Sequence, residues 1–206
     1  MRFSIPGARH RHEPASLATP APPLSTVRVG VPHRARSLGR REVDLAYDRA
    51  FVPSLVVDHT ELMLRQHGAA GAEGFGVWAG TLSGGDAFIS TLVIPRVSSP
   101  GGFHGEVSED TVANVLDELD ELDLVPIAQI HSHPQEAFLS PTDAQRPIVA
   151  ARGFLSIVIP GFGFVDLADV GLWRAYEFNA RENWRELDHA ERDRRFVIDP
   201  SLLRID

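Results

Sequence analysis

Apolar positions recur at two spacings in this chain, and their alternation from residue 42 to 178 lays out a series of elements. Leu55, Val56, Leu62 and Met63 fall near helical spacing from Ser54 onward, and Gly68 stands where such a helix would end. After the small-residue turn Gly68-Ala69-Ala70-Gly71-Ala72, the apolar run from about Phe75 to Leu82 reads as a buried strand. Ser83-Gly84-Gly85-Asp86 reads as a hairpin turn, and Ala87 to Val97, with Phe88, Ile89, Leu92, Val93 and Ile94, returns the chain antiparallel. A Ser/Pro/Gly loop from Ser98 to Gly105, with Phe103 and His104, leads to Ser108. Ser108 is placed to cap a helix with Glu109 and Asp110 at its positive end and an apolar stripe of Val112, Val115, Leu116, Leu119 and Leu122.

Ile127-Ala128-Gln129-Ile130 alternates apolar with small or polar residues, the pattern of a strand. Ser140-Pro141-Thr142-Asp143 is a helix start: Ser140 is the N-cap, Pro141 occupies the first helical position, and Asp143 completes a capping box with Asp in place of Glu or Gln. Pro147 must end or kink that helix, and Gly153 closes the segment. Phe154-Leu155-Ser156-Ile157-Val158-Ile159-Pro160 suits a central strand covered on both faces. Gly161-Phe162-Gly163 turns, and Val170 to Phe178 supplies another strand, with Leu172, Arg174, Tyr176 and Phe178 opposite Trp173, Ala175 and Glu177. From Asn179 the chain is a charged tail whose Trp184, Leu187, Phe196, Val197, Ile198, Leu202 and Leu203 can pack back on the domain. The order helix, hairpin, helix, strand, short helix, strand, strand predicts a single-domain mixed α/β (α+β) sandwich, a sheet flanked by helices.

Residues 1–41 depart from this pattern. They are rich in Pro, Arg and Ala and read as an extension, with a short strand around Thr26 to Val31. They carry eight Arg and one acid, a net charge of +7 that leaves −15 on the remainder of a chain whose total is −8. The acidic remainder disfavours nucleic acid as a partner of the domain. On the helix after Ser108, Asp117, Glu118, Asp120, Glu121 and Asp123 form a solvated acidic face; the sharper alternative is docking of a basic patch on a partner. No apolar run reaches the roughly twenty residues of a membrane span and no signal-peptide pattern opens the chain, so a cytoplasmic protein is expected. The sequence contains no Cys, which removes disulfides, thiolate zinc fingers and a cysteine nucleophile. Every basic side chain is Arg, since Lys is absent; codon bias accounts for this, and escape from modification at lysine is the functional alternative.

With no cysteine to serve as nucleophile, a bound metal is the expected route to hydrolysis, and one stretch offers a site for it. His131 and His133 lie two apart at the end of a strand, on one face, where both imidazoles can grip one ion, and Asp143 is placed to supply a third ligand. Three N and O ligands with nothing nearby to close the shell are the signature of catalytic zinc, whose fourth position holds water acidified to a pKa of roughly 7. The attack also needs a carboxylate to move protons, and Glu73, opening the strand at Phe75, is the candidate. The pair His10 and His12 has no accompanying carboxylate motif, and His104 is a lone loop histidine.

Glu73 with Gly76 and Gly80 behind it, His131-Ser132-His133-Pro134, and then Ser140 and Asp143 resemble the JAMM (MPN+, Mov34/JAB) zinc metalloprotease family, in its bacterial deubiquitinase-like branch. The order of elements from about residue 42 to 178 matches the fold that this resemblance implies. It further implies an isopeptidase or peptidase that cleaves after the C-terminal glycine of ubiquitin or a ubiquitin-like protein. In that reading His131, His133 and Asp143 bind one zinc ion, Glu73 is general base and acid, and Ser140 stabilises the oxyanion. One departure is visible: six residues, Pro134 to Leu139, separate His133 from Ser140 where the family usually has seven. Two alternatives remain open, release of an amino acid such as cysteine from a sulfur-carrier protein, and a non-catalytic scaffold of MPN type. A DNA-repair-associated branch with a similar motif is disfavoured by the acidic domain.

Overall fold

The computed structural model describes residues 44–95, 107–179 and 183–199. In chain order these form β1 (Ala50–Pro53), α1 (Ser54–Ala69), β2 (Phe75–Ser83), β3 (Asp86–Val93), α2 (Glu109–Glu121), β4 (Val125–Ser132), α3 (Pro141–Gln145), β5 (Leu155–Ile159), β6 (Arg174–Asn179), β7 (Asn183–Glu186), α4 (His189–Arg195) and β8 (Phe196–Asp199). The expected extension over 1–41, the strand near Thr26, the histidines at 10, 12 and 104, and Leu202 and Leu203 lie outside the described residues.

The β2–β3 hairpin forms as read. Gly84 and Gly85 take φ of 62° and 85°, the positive pair that a two-residue turn of matching twist requires. At Gly80, beside a register shift in the pairing, a Cβ would run into the Phe88 carbonyl, so the strands approach there only because the side chain is absent.

All eight strands share one mixed sheet in the order β7-β6-β5-β4-β2-β3-β1-β8. β4 lies antiparallel to β2 and parallel to β5, so the end of β4 is held between two strands, of which β5 is buried throughout. Consecutive β2 residues divide between two cores, as a period of two dictates. Trp78 joins the core that α1 covers through Val56, Val57, Met63 and Leu64. Val77 and Ala79 join the one that α2 covers through Val115 and Leu119. Each buried Val, Leu or Met among these contributes about 1.5–3 kcal/mol from the apolar area removed from water. The Trp78 indole stays satisfied in its core by donating to Thr60 Oγ1 at 2.9 Å, while the Thr60 hydroxyl donates to the Val56 carbonyl.

Three local readings shift. α1 continues through Gly68 to Ala69, and Gly71 rather than Gly68 adopts the left-handed backbone, φ 72°. Gly68 is small for another reason: a Cβ there would lie 2.5 Å from Phe162 Cβ. The strand expected from Val170 begins at Arg174, because the Asp169 carboxylate accepts from the Gly171 N–H and folds Val170–Leu172 into a 3-10 turn. The segment after Asn179 contributes strands as well as packing, with β7 on one edge of the sheet and β8, beside β1, on the other. Four-residue strands such as AFVP and FVID are too short for alternation to declare them.

Candidate metal centre

His131 is the penultimate residue of β4, opposite Phe75 on β2 and Val158 on β5. His133 lies just beyond the strand, but its backbone is held: its N–H donates to the Ile159 carbonyl at 2.9 Å, and its carbonyl accepts from Phe162 N–H at 2.7 Å. Both imidazoles are buried, 5% and 6% exposed. Asp143 arrives on the first turn of α3, where the capping box forms as the sequence indicates. Ser140 Oγ accepts from the Asp143 N–H at 3.2 Å, and Asp143 Oδ2 accepts from the Ser140 N–H at 3.0 Å.

That same carboxylate oxygen faces both rings, 3.4 Å from His131 Nε2 and 3.5 Å from His133 Nε2. One donor atom from each of the three side chains can be chosen so that all lie within 4.8 Å of one another. Ligands at the 2.0–2.1 Å bond lengths of tetrahedral zinc stand about 3.3 Å apart, so the two approaches to Asp143 have the span of tetrahedral edges. His131 Nε2 is buried and makes no hydrogen bond of proper geometry, a state that costs free energy unless something else satisfies the nitrogen. A cation would do so. Burial alone would raise the Asp143 pKa, but its contacts with His131 and His133, and the Ser140 hydroxyl, hold the carboxyl well below the usual carboxylate range. The donor set and its spacing fit a divalent metal.

The six residues between His133 and Ser140 are enough to bring Asp143 to the histidines. Their loop is anchored where the Gln135 carbonyl accepts from Gly161 N–H at 3.0 Å, and where the Phe138 ring meets His133 edge to face at 4.7 Å. Glu73, just before β2, lines the same cleft as His131 and Asp143, together with Phe75, Val112, Gln129, Arg146 and Ile148. All four residues singled out for the metal and the proton shuttle thus come to one place, and Ser140 adjoins it through the cap.

Three supporting residues escaped the sequence reading. Ser132, alternating away from the two histidines, clasps the residue after Glu73: its Oγ accepts from the Gly74 N–H at 3.0 Å and its own N–H donates to the Gly74 carbonyl at 3.1 Å. Gln129, two residues before His131 and buried, donates to Ser156 Oγ at 3.2 Å and accepts from Ile148 N–H at 3.1 Å. A polar side chain inside an apolar strand was the available signal for it. Trp184 on β7 donates to the Ala144 carbonyl on α3, a contact across 40 residues with no local signal.

No family model matches the chain. Among characterised sequences, it is 31% identical over 152 residues to the probable metalloprotease y4jG of Sinorhizobium fredii, covering 71% of this chain and 92% of that protein. It is 32% identical over 108 residues to the AMSH-like ubiquitin thioesterase 3 of Arabidopsis thaliana, covering 52% of this chain and 21% of that protein. In fold it resembles the solution structure of protein DSY2949 from Desulfitobacterium hafniense, with a TM-score of 0.52 at 12% identity over 73% of this chain and 92% of that one. No helix among the described residues is long and apolar enough to cross a membrane. A metalloprotease relative matched along nearly its whole length, an MPN-like sheet between helices, and a two-histidine, one-aspartate cluster converge on one assignment: the chain belongs to the JAMM (MPN+) metalloprotease family and is a metallopeptidase of that type.

Proposed function

We propose that the chain is a zinc-dependent isopeptidase or peptidase that hydrolyses the bond after the C-terminus of ubiquitin or a ubiquitin-like protein, in deconjugation or precursor processing in the cytoplasm. Residues 42–178 form its catalytic domain and 179–206 complete it. The observation that carries the reading is the convergence of His131, His133 and Asp143 on a cleft that Glu73 also lines. The relative named for a ubiquitin thioesterase supports the substrate class.

Zinc held by His131, His133 and Asp143 would supply a Lewis acid for the scissile carbonyl and lower the pKa of water to about 7. Glu73 takes a proton from the attacking water and returns it to the leaving amine. Ser140 Oγ accepts from the Asp143 N–H, and its hydroxyl proton, which bears on the Asp143 carboxylate, would turn to the oxyanion when substrate is bound. Phe75, Val112 and Ile148 give the cleft apolar walls suited to an extended tail with small terminal residues. The test is incubation with a panel of ubiquitin-like fusions and conjugates. At least one should be cut, and Glu73→Gln should abolish cleavage; activity that survives this change removes Glu73 from the reaction.

One observation favours a second reading. Arg146 also lines the cleft, and a guanidinium there suits a leaving group that carries its own carboxylate, as in release of an amino acid such as cysteine from a sulfur-carrier protein. The same panel separates the two, because that activity would spare isopeptide-linked conjugates and require a free carboxylate beside the cleaved bond.

A further inference from the structure

α3 carries Asp143 yet is too short to hold itself in place. Its five residues close few internal hydrogen bonds; the Arg146 N–H reaches the Asp143 carbonyl, but Pro147 has no N–H to offer Ala144 and the Ile148 N–H is given to Gln129. The Ala144 carbonyl is met from a distant part of the chain: Trp184 Nε1 donates to Ala144 O at 3.0 Å. Ala144 is the neighbour of Asp143, so displacing its carbonyl displaces the carboxylate. The indole is itself fixed, edge-on to Phe178 with ring centres 5.2 Å apart. Its strand is tied down by Arg185, which pairs with Glu177 on β6 at 3.0 Å and with Glu191 on α4 at 2.7 Å.

We propose that Trp184 is a positioning residue for the metal centre: the edge hairpin β6–β7 fixes α3, and through it the distance of Asp143 from His131 and His133. The inference rests on reading those three side chains as metal ligands. It assigns the segment after Asn179, outside the stretch that carries the family motif, a part in metal binding.

The experiment uses the full chain and cobalt(II), which reports its coordination in the visible spectrum. Trp184→Phe keeps an aromatic ring near Phe178 and removes the N–H together with the second ring of the indole. It should bind cobalt about three- to tenfold more weakly in competition with a chromophoric chelator, since it removes support one step beyond the ligand's own hydrogen bonds. The bound-cobalt spectrum should change as well. A purely structural role would lower the melting temperature of the metal-free protein and leave affinity and spectrum as in the wild type, and that result overturns the proposal. His131→Ala serves as the parallel variant. If it binds cobalt like the wild type, the metal reading fails; if it loses cobalt while Trp184→Phe does not, only the positioning role falls. A measurement on the unaltered protein covers the case in which Trp184→Phe does not fold. Coupling is reciprocal, so zinc must strengthen the Trp184–Ala144 bond, and the Trp184 indole hydrogen should exchange more slowly on zinc loading. The Trp78 indole, bonded to Thr60 in the α1 core, is the reference. Equal change or no change at the two indoles contradicts the proposal.

Discussion

Replacing Ser132 by alanine separates the placement of Glu73 from the binding of metal. Ser132 is fully buried, and its Oγ is the acceptor for Gly74 N–H, the amide immediately after Glu73. Alanine strands that buried donor, which costs about 1–3 kcal/mol. For a domain of this size the melting temperature should fall by about 2–12 °C. The second half of the clasp, Ser132 N–H to the Gly74 carbonyl, is backbone and survives, so Glu73 is loosened and not released. A catalytic group displaced by a fraction of an ångström to 1 Å costs roughly ten- to hundredfold in kcat. The side chain of Ser132 points away from the two imidazoles, so the metal content should stay at the wild-type value. The assay is kcat on a cleavable ubiquitin-like fusion, with metal analysis and a thermal melt on the same sample. Unchanged kcat would show that the clasp does not set the position of Glu73. A loss of metal that parallels the loss of activity would refute the separation of the two roles.

Two further outcomes follow from the packing and the site. Gly68→Ala places a Cβ 2.5 Å from Phe162 Cβ and 2.8 Å from the Phe162 carbonyl. Set against alanine's helix advantage of about 1 kcal/mol, the overpacking cost of about 1–3 kcal/mol leaves a net loss of up to about 2 kcal/mol, so the melting temperature should drop by up to about 8 °C. Because Phe162 N–H donates to the His133 carbonyl, zinc affinity should fall with it, and a rise in stability would show that the turn yields freely. Zinc at 100 times its dissociation constant should stabilise the wild type by about 2.7 kcal/mol and leave the His131→Ala, His133→Ala double variant unmoved. A thermal scan with and without chelator checks both, and an equal shift in the two proteins would place the zinc elsewhere.

The parts legible in the sequence are those whose cause is local. Ser83 to Asp86 declares a hairpin because two adjacent glycines permit two positive φ values, and Ser140-Pro141-Thr142-Asp143 declares a capped helix because the cap is built from neighbours in sequence. His131 and His133 could be grouped because a strand of period two puts both on one face, and Asp143 joined them through the resemblance of the motif to the family. What was not legible depends on closure of the chain over long distances. β1 exists by pairing with β3 and β8, and β8 by pairing with β1, and neither four-residue strand carries enough alternation to announce itself. Gly68 looked like a helix end, and only the approach of Phe162 from 94 positions downstream shows why no larger residue sits there. Trp184 reads as one more apolar residue in a charged tail until the fold lays it against Ala144.

Metal stoichiometry in three proteins purified side by side addresses the centre of the account: that two imidazoles and one carboxylate hold a single ion, with Glu73 acting beside it and not on it. The wild type and Glu73→Gln should each carry about one zinc per chain, and His131→Ala should carry essentially none. Zinc retained in full by His131→Ala, or lost from Glu73→Gln to the same extent, would contradict that division of labour.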